Sequence, residues 1–158
     1  MRYSVLAPGK RFRPVLLLIA ADALKVPRDE ALPSACALEM IHAFSLIHDD
    51  LPSMDDDDMR RGRPANHVVF GEGTAILAGD ALQTSAFQQL ARVEDPQVSR
   101  DLAGWLCRAS GLEGMAAGQQ LDLDGTGADE GDVDLIHRLK TGALLAASLC
   151  MGARAGGL

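Results

Sequence analysis

The chain has 158 residues, 47% of them hydrophobic, which is enough apolar material for one packed domain with a core and excludes a disordered tail. One Trp, one Tyr and four Phe, in a composition that leans on Ala, Leu, Asp and Gly, favour packed helices over aromatic-rich sheets. The net charge is −7, but six of the 22 acidic residues fall between Asp49 and Asp58, so the acidity is local; no Lys/Arg stripe with interleaved aromatics occurs, which excludes nucleic acid and anionic membrane as partners.

In chain order, Pro14 is a good first-turn residue, and Val15 to Leu24 is predicted as a helix broken by Val26-Pro27. Leu32 to Asp50 is the second, with Pro33 in its first turn and Pro52 after its end. Thr74 can cap a third helix running to about Val93, Asp95-Pro96 makes a turn, and Ser99 to Asp122 carries a fourth, longer pattern. A loop follows over Gly125 to Gly131, and the last helix covers Val133 to Ala153. Helix follows helix, with no internal repeat and no low-complexity linker.

Cys36, Cys107 and Cys150 lie far apart among Ala, Leu and Met, as small buried thiols of a reducing compartment do. Neither a zinc site nor a disulfide is expected. The longest apolar run, Val15 to Ala21, is too short to span a bilayer, and Met1 to Pro14 lacks a signal-peptide layout, so a cytoplasmic location is expected.

The chemistry concentrates in Ile41 to Asp58, where carboxylates appear abruptly at the end of an apolar helix. With about 100° per residue, His42, Ser45 and Asp49 share one face and form a polar stripe pointing into the bundle. A solvated acidic loop is the ordinary reading of an Asp run. Asp49 and Asp50, however, oppose the macrodipole at a helix carboxyl end and call for a compensating cation. Hard oxygen donors suit Mg²⁺, which is usually completed by substrate phosphates, whereas Asp55 to Asp58 does not fit the spacing of a Ca²⁺ loop. Met59-Arg60-Arg61-Gly62-Arg63-Pro64 follows at once, so guanidinium forks for phosphate oxygens stand beside the proposed metal ligands.

Asp49-Asp50-Leu51-Pro52-Ser53-Met54-Asp55 followed by Arg60-Arg61-Gly62 resembles the first aspartate-rich motif of the trans-prenyl diphosphate synthases, the polyprenyl synthetase family. The four residues between the aspartates resemble the bacterial farnesyl diphosphate synthase type. Gly9-Lys10-Arg11-Phe12-Arg13-Pro14 is similar to an upstream motif of that family, and Gly79-Asp80-Ala81-Leu82, Gly118-Gln119-Gln120-Leu121-Asp122 and Lys140-Thr141-Gly142 follow in the family's order. DDxxD alone also occurs in terpene cyclases and head-to-head synthases. Five ordered motifs are far more specific.

The resemblance implies an all-α helical bundle of the isoprenoid-synthase type, with residues 1–158 its N-terminal part, and an Mg²⁺-dependent prenyltransferase. Isopentenyl diphosphate would condense with an allylic diphosphate, dimethylallyl or geranyl, to give farnesyl diphosphate, with geranylgeranyl diphosphate as the longer alternative. Asp49 and Asp55 would bind Mg²⁺ bridging the allylic diphosphate, with Asp50 and Asp56 supporting and Arg60 on that diphosphate. Lys10, Arg13, His42 and Arg61 would hold isopentenyl diphosphate. Lys140 and Thr141 would reach the leaving diphosphate, and Gln119 would line the pocket between. Phe44 and Ser45, five and four residues before Asp49, would set product length, although Phe44 also reads as ordinary core packing. For His42 the ordinary reading is a satisfied core histidine. Asp80 and Asp122 could each be a structural acceptor.

The family carries a second aspartate-rich motif that this sequence lacks, since Asp129-Glu130-Gly131-Asp132 reads as a loop. The expectation is therefore a partial polyprenyl synthetase domain that continues beyond residue 158, forms a homodimer when complete, and does not elongate by itself. The rival reading is a shortened protein that binds diphosphate or a partner subunit without turnover.

Overall fold

The computed structural model describes residues 1–125 and 129–157. Its helices are α1 (Arg2–Val5), α2 (Phe12–Ala23), α3 (Arg28–Asp49), α4 (Asn66–Phe70), α5 (Glu72–Leu90), α6 (Pro96–Ser110), α7 (Met115–Leu123), α8 (Glu130–His137) and α9 (Ala143–Ala155). A π-helical turn, Arg138–Gly142, joins α8 to α9. Strands β1 (Met59–Arg60) and β2 (Arg63–Pro64) form an antiparallel hairpin between α3 and α4, with Arg60 paired to Arg63. The all-α architecture expected from composition is the one observed.

Helix α3 lies at the centre, packed mainly against α5 and α2 and also touching α1, α6 and α9. Its apolar residues serve two clusters. Leu38 and Ile41 join Leu17, Leu102, Leu106, Leu144 and Met151, all fully buried, while Ala43 and Ile47 join Leu51, Ala75 and Leu82. Complete burial of each such side chain stabilises by about 1.5–3 kcal/mol, so α3 is anchored before any polar group is considered. By length and composition α3 is apolar enough to cross a membrane, which uninterrupted apolar runs do not reveal because polar residues punctuate it; half of that stretch is buried by neighbouring helices. Bundle packing therefore uses much of its hydrophobicity.

Several expected boundaries change. The second predicted helix starts at Arg28, where Asp29 and Glu30 favour the positive end of the dipole, so Pro33 lies inside α3 and not in its first turn. Thr74 does not cap α5, which begins at Glu72 directly after Gly71 and ends at Leu90. The pattern over Ser99 to Asp122 is two helices, because the chain turns at Gly111–Gly114, where Gly114 N donates to Gly111 O. Asp95 caps α6, its Oδ1 accepting from Gln97 N at 2.7 Å and Val98 N at 3.2 Å.

Asp129 likewise caps α8, so residues 130–132 are helical and not loop; the rest of the predicted loop at 126–128 lies outside the described residues. Val133 to Ala153 is not one helix, since the π turn interrupts it. Leu158 also lies outside the description. The cysteines are free, but contrary to expectation Cys36 and Cys107 are exposed and Cys150 is half-buried. The short α1, the hairpin and α4 have no counterpart in the sequence reading, being too short to show a period.

The approach of α7 to the π turn depends on Gly118. A Cβ there would lie 2.3 Å from Lys140 N. Gly118→Ala is expected to lower unfolding free energy in urea by about 1–3 kcal/mol, the usual cost of overpacking. Gly104→Ala in α6, where an added Cβ meets nothing, should instead gain about 0.5–1 kcal/mol from helix propensity. Equal effects at the two sites would contradict this packing.

Candidate active site

The loop after α3 folds back on the helix end. Asp55 N donates to Asp49 O at 2.9 Å, and Met54 N and Asp56 N both donate to Leu51 O. The five residues between Asp49 and Asp55 thus close a tight turn that returns the second carboxylate beside the first. Burial pushes the Asp49 carboxyl above its ordinary value; Lys140 opposes this, while Asp55 adds to it. Asp50 goes elsewhere. It is 2% exposed and accepts from Arg60 Nε at 2.7 Å and from Arg60 Nη2, which also reaches Asp57 at 3.1 Å. The Asp50 hydrogen bond is the main reason that the Arg60 guanidinium is held above its ordinary value.

A cavity of about 340 Å³ opens against this end of α3. Its walls include Arg13, His42, Ser45, Asp49, Gln119, Lys140 and Thr141 as polar groups, and Phe44, Leu46, Met54, Met115 and Leu123 as apolar ones. Eight residues expected at the site therefore meet in one place, Phe44 and Ser45 among them. The stripe of His42, Ser45 and Asp49 faces it as the helical period requires. Lys10 is exposed outside it, and Arg60 and Arg61 line a separate small cavity beside Tyr3, Asp50 and Asn66. Asp56, at φ 53°, is exposed.

Lys140 rides on the π turn, where the wide backbone brings it toward Asp49. Burial opposes its charge, but a 2.5 Å hydrogen bond to Asp122 and the fields of Asp49, Asp122 and Asp55 outweigh it, holding the ammonium above its ordinary value. Asp122 thus accepts from the Lys140 ammonium at the rim of the site. Asp80 is exposed on α5, and its backbone carbonyl accepts from Thr84 Oγ1. His42 is driven down to about 3, first by burial and then by Arg13, Arg61, Arg11 and Arg60, so it is neutral at pH 7. Arg61 Nη2 lies 3.5 Å from its Nε2.

His48 is a site residue that the sequence does not single out. Its ring lines the cavity, stands edge-on to Phe44 with centroids 5.7 Å apart, and its Nε2 is 3.0 Å from Ile76 O. A Cβ on Gly79 would fall 2.1 Å from that nitrogen, so Gly79 is the notch that admits the ring. Glycine at 79 is the only available signal, and nothing in the sequence pairs it with residue 48.

The donors at the site bear on the expected metal. Asp50 and Asp56 do not join Asp49 and Asp55, and among the described residues no group of three or more ligating side chains could hold an ion. Two neighbouring carboxylates beside a cavity still fit Mg²⁺, which takes one or two carboxylates and completes its shell with water and phosphate oxygens. Two buried donors in the cavity residues, Arg13 Nε and Gln119 Nε2, have no hydrogen-bond partner and would be satisfied by an acceptor-rich anion.

His42 also sets a pH dependence. Between its ordinary 6.5 and about 3 the unfolded chain binds a proton that the folded site refuses, so stability falls as pH drops through that window. The raised carboxyls of Asp49 and Asp50 act in the opposite sense. Comparing urea unfolding at pH 7 and pH 4.5, His42→Gln should lose about 2 kcal/mol less than the wild type. Identical losses would contradict the buried neutral imidazole.

Comparison with known proteins bears on the same residues. The family model for polyprenyl synthetase matches residues 1–158. The farnesyl diphosphate synthase of Geobacillus stearothermophilus is 52% identical over 163 residues, covering 99% of this chain and 55% of that protein. The large subunit 1 of a chloroplastic heterodimeric geranylgeranyl pyrophosphate synthase from Arabidopsis thaliana is 51% identical, covering 99% and 45%. Among solved structures, a geranyltransferase from Helicobacter pylori complexed with magnesium and isoprenyl diphosphate superposes with a TM-score of 0.92 at 36% identity, covering 99% of this chain and 55% of that one. The chain spans about half the length of the curated relatives it matches. With a family model running its whole length and relatives half identical along it, the chain belongs to the polyprenyl synthetase family.

Proposed function

We propose that this chain carries the diphosphate-binding wall of a chain-elongating prenyltransferase that joins isopentenyl diphosphate to dimethylallyl or geranyl diphosphate, with farnesyl diphosphate as product. The observation that carries the reading is one cavity in which Asp49, Lys140 and Arg13 stand alongside Phe44, Met54, Met115 and Leu123. Charged groups suit a diphosphate, and apolar groups suit a prenyl tail. The magnesium complexed with the Helicobacter pylori geranyltransferase supports Asp49 and Asp55 as metal ligands here. The free cysteines support a reducing, cytoplasmic location, and exposed Val68, Val69, Phe70, Ile76 and Leu77 on α4 and α5 support a homodimer.

In the reaction the allylic C1–O bond breaks, leaving an allylic cation and diphosphate. The isopentenyl double bond attacks C1, and a proton leaves C2 of that unit for the released diphosphate. Mg²⁺, when held by Asp49 and Asp55, supplies neutralisation of the diphosphate charge. Lys140, kept protonated by its carboxylate neighbours, stabilises the same developing charge, and Thr141 is placed to donate a hydrogen bond. Arg13 and neutral His42 bind the second diphosphate. The apolar residues exclude water from the cation, and no side chain is required as nucleophile or base.

A second reading, a diphosphate-binding subunit without turnover, is favoured by one observation: Arg60 is engaged by Asp50 and Asp57 and does not line the main cavity. Calorimetry with Mg²⁺ and geranyl diphosphate, followed by an elongation assay, separates the two. Asp49→Asn and Asp55→Asn should each weaken Mg²⁺-dependent binding by about tenfold or more, the worth of one charge-assisted contact. Wild-type affinity in both variants would remove the metal-site assignment. Binding without turnover, both by residues 1–158 and by a form extended to the length of the relatives, would favour the subunit.

Product length should follow Phe44, which stands edge-on to His48 in the cavity. In a form that elongates, Phe44→Ala is expected to shift products beyond fifteen carbons at undiminished ionisation rate. An unchanged product profile by chromatography would leave Phe44 as core packing.

A further inference from the structure

The turn that leads into α2 is built on a left-handed arginine. Arg11 has φ 49° and ψ 36°, a conformation that non-glycine residues keep only where their surroundings over-determine it. Here the surroundings are explicit. Arg11 Nη1 donates to Glu39 Oε1, while Nη2 donates to Val5 O at 2.8 Å and to Ala7 O at 2.5 Å. One guanidinium thus ties the middle of α3 to the carboxyl end of α1, using the fork geometry that a lysine lacks. Glu39 is 9% exposed and takes part in none of the steps above.

Arg11 pairs with this acid, and two further cations, Arg13 and Arg61, lie close to each other at the same turn. Arg13 is half-buried; burial and Arg61 pull its guanidinium down, and Glu39 opposes them. Arg61 presses on the same turn, since a Cβ on Gly9 would lie 2.6 Å from its Nη1. Glu39 is ion-paired to Arg11, and its field favours the charge of Arg13. The α1 end also reaches the hairpin bearing Arg60 and Arg61: Tyr3 Oη donates to Pro64 O at 2.9 Å, Asn66 Nδ2 donates to Ser4 Oγ at 2.8 Å, and Arg63 stacks 4.1 Å above the Tyr3 ring.

We propose that Arg11 and Glu39 are positioning residues for the isopentenyl diphosphate cradle. Arg11 fixes the turn over residues 9–13 against α3, and Glu39 is the counter-charge that keeps Arg13 and Arg61 together before the anion arrives. Neither touches the substrate. The inference rests on the diphosphate-binding reading above, and it adds a reason why a buried carboxylate belongs inside a site that selects anions.

The test uses the full chain and the variants Arg11→Gly, Arg11→Lys and Glu39→Gln. Glycine adopts the left-handed conformation without strain, so the first variant removes the guanidinium while relieving the backbone. Hydrogen-exchange mass spectrometry reads the turn, and calorimetry reads isopentenyl diphosphate. Arg11→Gly and Glu39→Gln should each speed exchange over residues 9–13 and weaken isopentenyl diphosphate binding by about tenfold, a typical coupling between groups in one network. Arg11→Lys should recover little of either, and amides of α6 should exchange as in the wild type. The inference is overturned by unchanged exchange over 9–13, by exchange that rises equally in α6, or by unaltered binding in both variants. If the wild-type chain binds no isopentenyl diphosphate, the reading under Proposed function fails, and the exchange comparison alone decides the positioning.

Discussion

Ending a core helix in two adjacent aspartates costs electrostatic free energy twice. The carboxyl end of a helix carries partial negative charge, and burial removes the water that would otherwise solvate the carboxylates. Helix α3 accepts both costs because the apolar residues behind Asp49 and Asp50 are fixed in two hydrophobic clusters. It cannot slide to place its last turn in solvent without exposing Ile41 and Ile47. The remainder of the site is the set of cations that makes this arrangement tolerable.

Those cations are divided between the two acids. Arg60 reaches back from the hairpin and forks onto Asp50, closing that carboxylate within the protein. Among the described residues Asp49 has no such ion-pair partner. Its compensation is the field of Lys140, delivered from a π turn more than 90 residues away in sequence and braced by Asp122. Although burial opposes it, the hydrogen bond to Asp122 and the fields of Asp49, Asp122 and Asp55 hold the Lys140 ammonium in its charged form. Wide helical turns of this kind commonly occur at functional sites. Here the turn closes because Gly118 has no Cβ to block the Lys140 backbone.

Much of this was legible in the sequence, for a physical reason. A polar stripe on an apolar helix must face something polar, and helical periodicity puts His42, Ser45 and Asp49 together without reference to the rest of the chain. Ordered motifs then indicated which distant residues complete the site, and Lys140, Thr141, Gln119 and Arg13 do meet there. What the sequence does not show is which partner each charged group takes and where the helices break. A guanidinium takes the nearest buried carboxylate, so Arg60 pairs with Asp50, a choice invisible in the order Asp-Asp … Arg-Arg. Periodicity also ran through Gly111–Gly114 and the π turn, since apolar residues continue on both sides of each interruption. His48 and Glu39 escaped notice for the same reason: their roles exist only through Gly79 and Arg11, which lie 31 and 28 residues away.

The proposed diphosphate-binding end of the main cavity consists of Asp49 and Lys140 in its wall, with exposed Asp55 beside Asp49 and the Asp50–Arg60 pair apart from them. The most direct measurement is a crystal structure of the chain grown with Mg²⁺ and inorganic pyrophosphate. The account predicts pyrophosphate inside the cavity, in hydrogen-bond reach of Lys140, with the metal on Asp49 and Asp55 and the Asp50–Arg60 pair intact. Pyrophosphate bound instead at the hairpin, with Arg60 released from Asp50 and no anion beside Lys140, would contradict it.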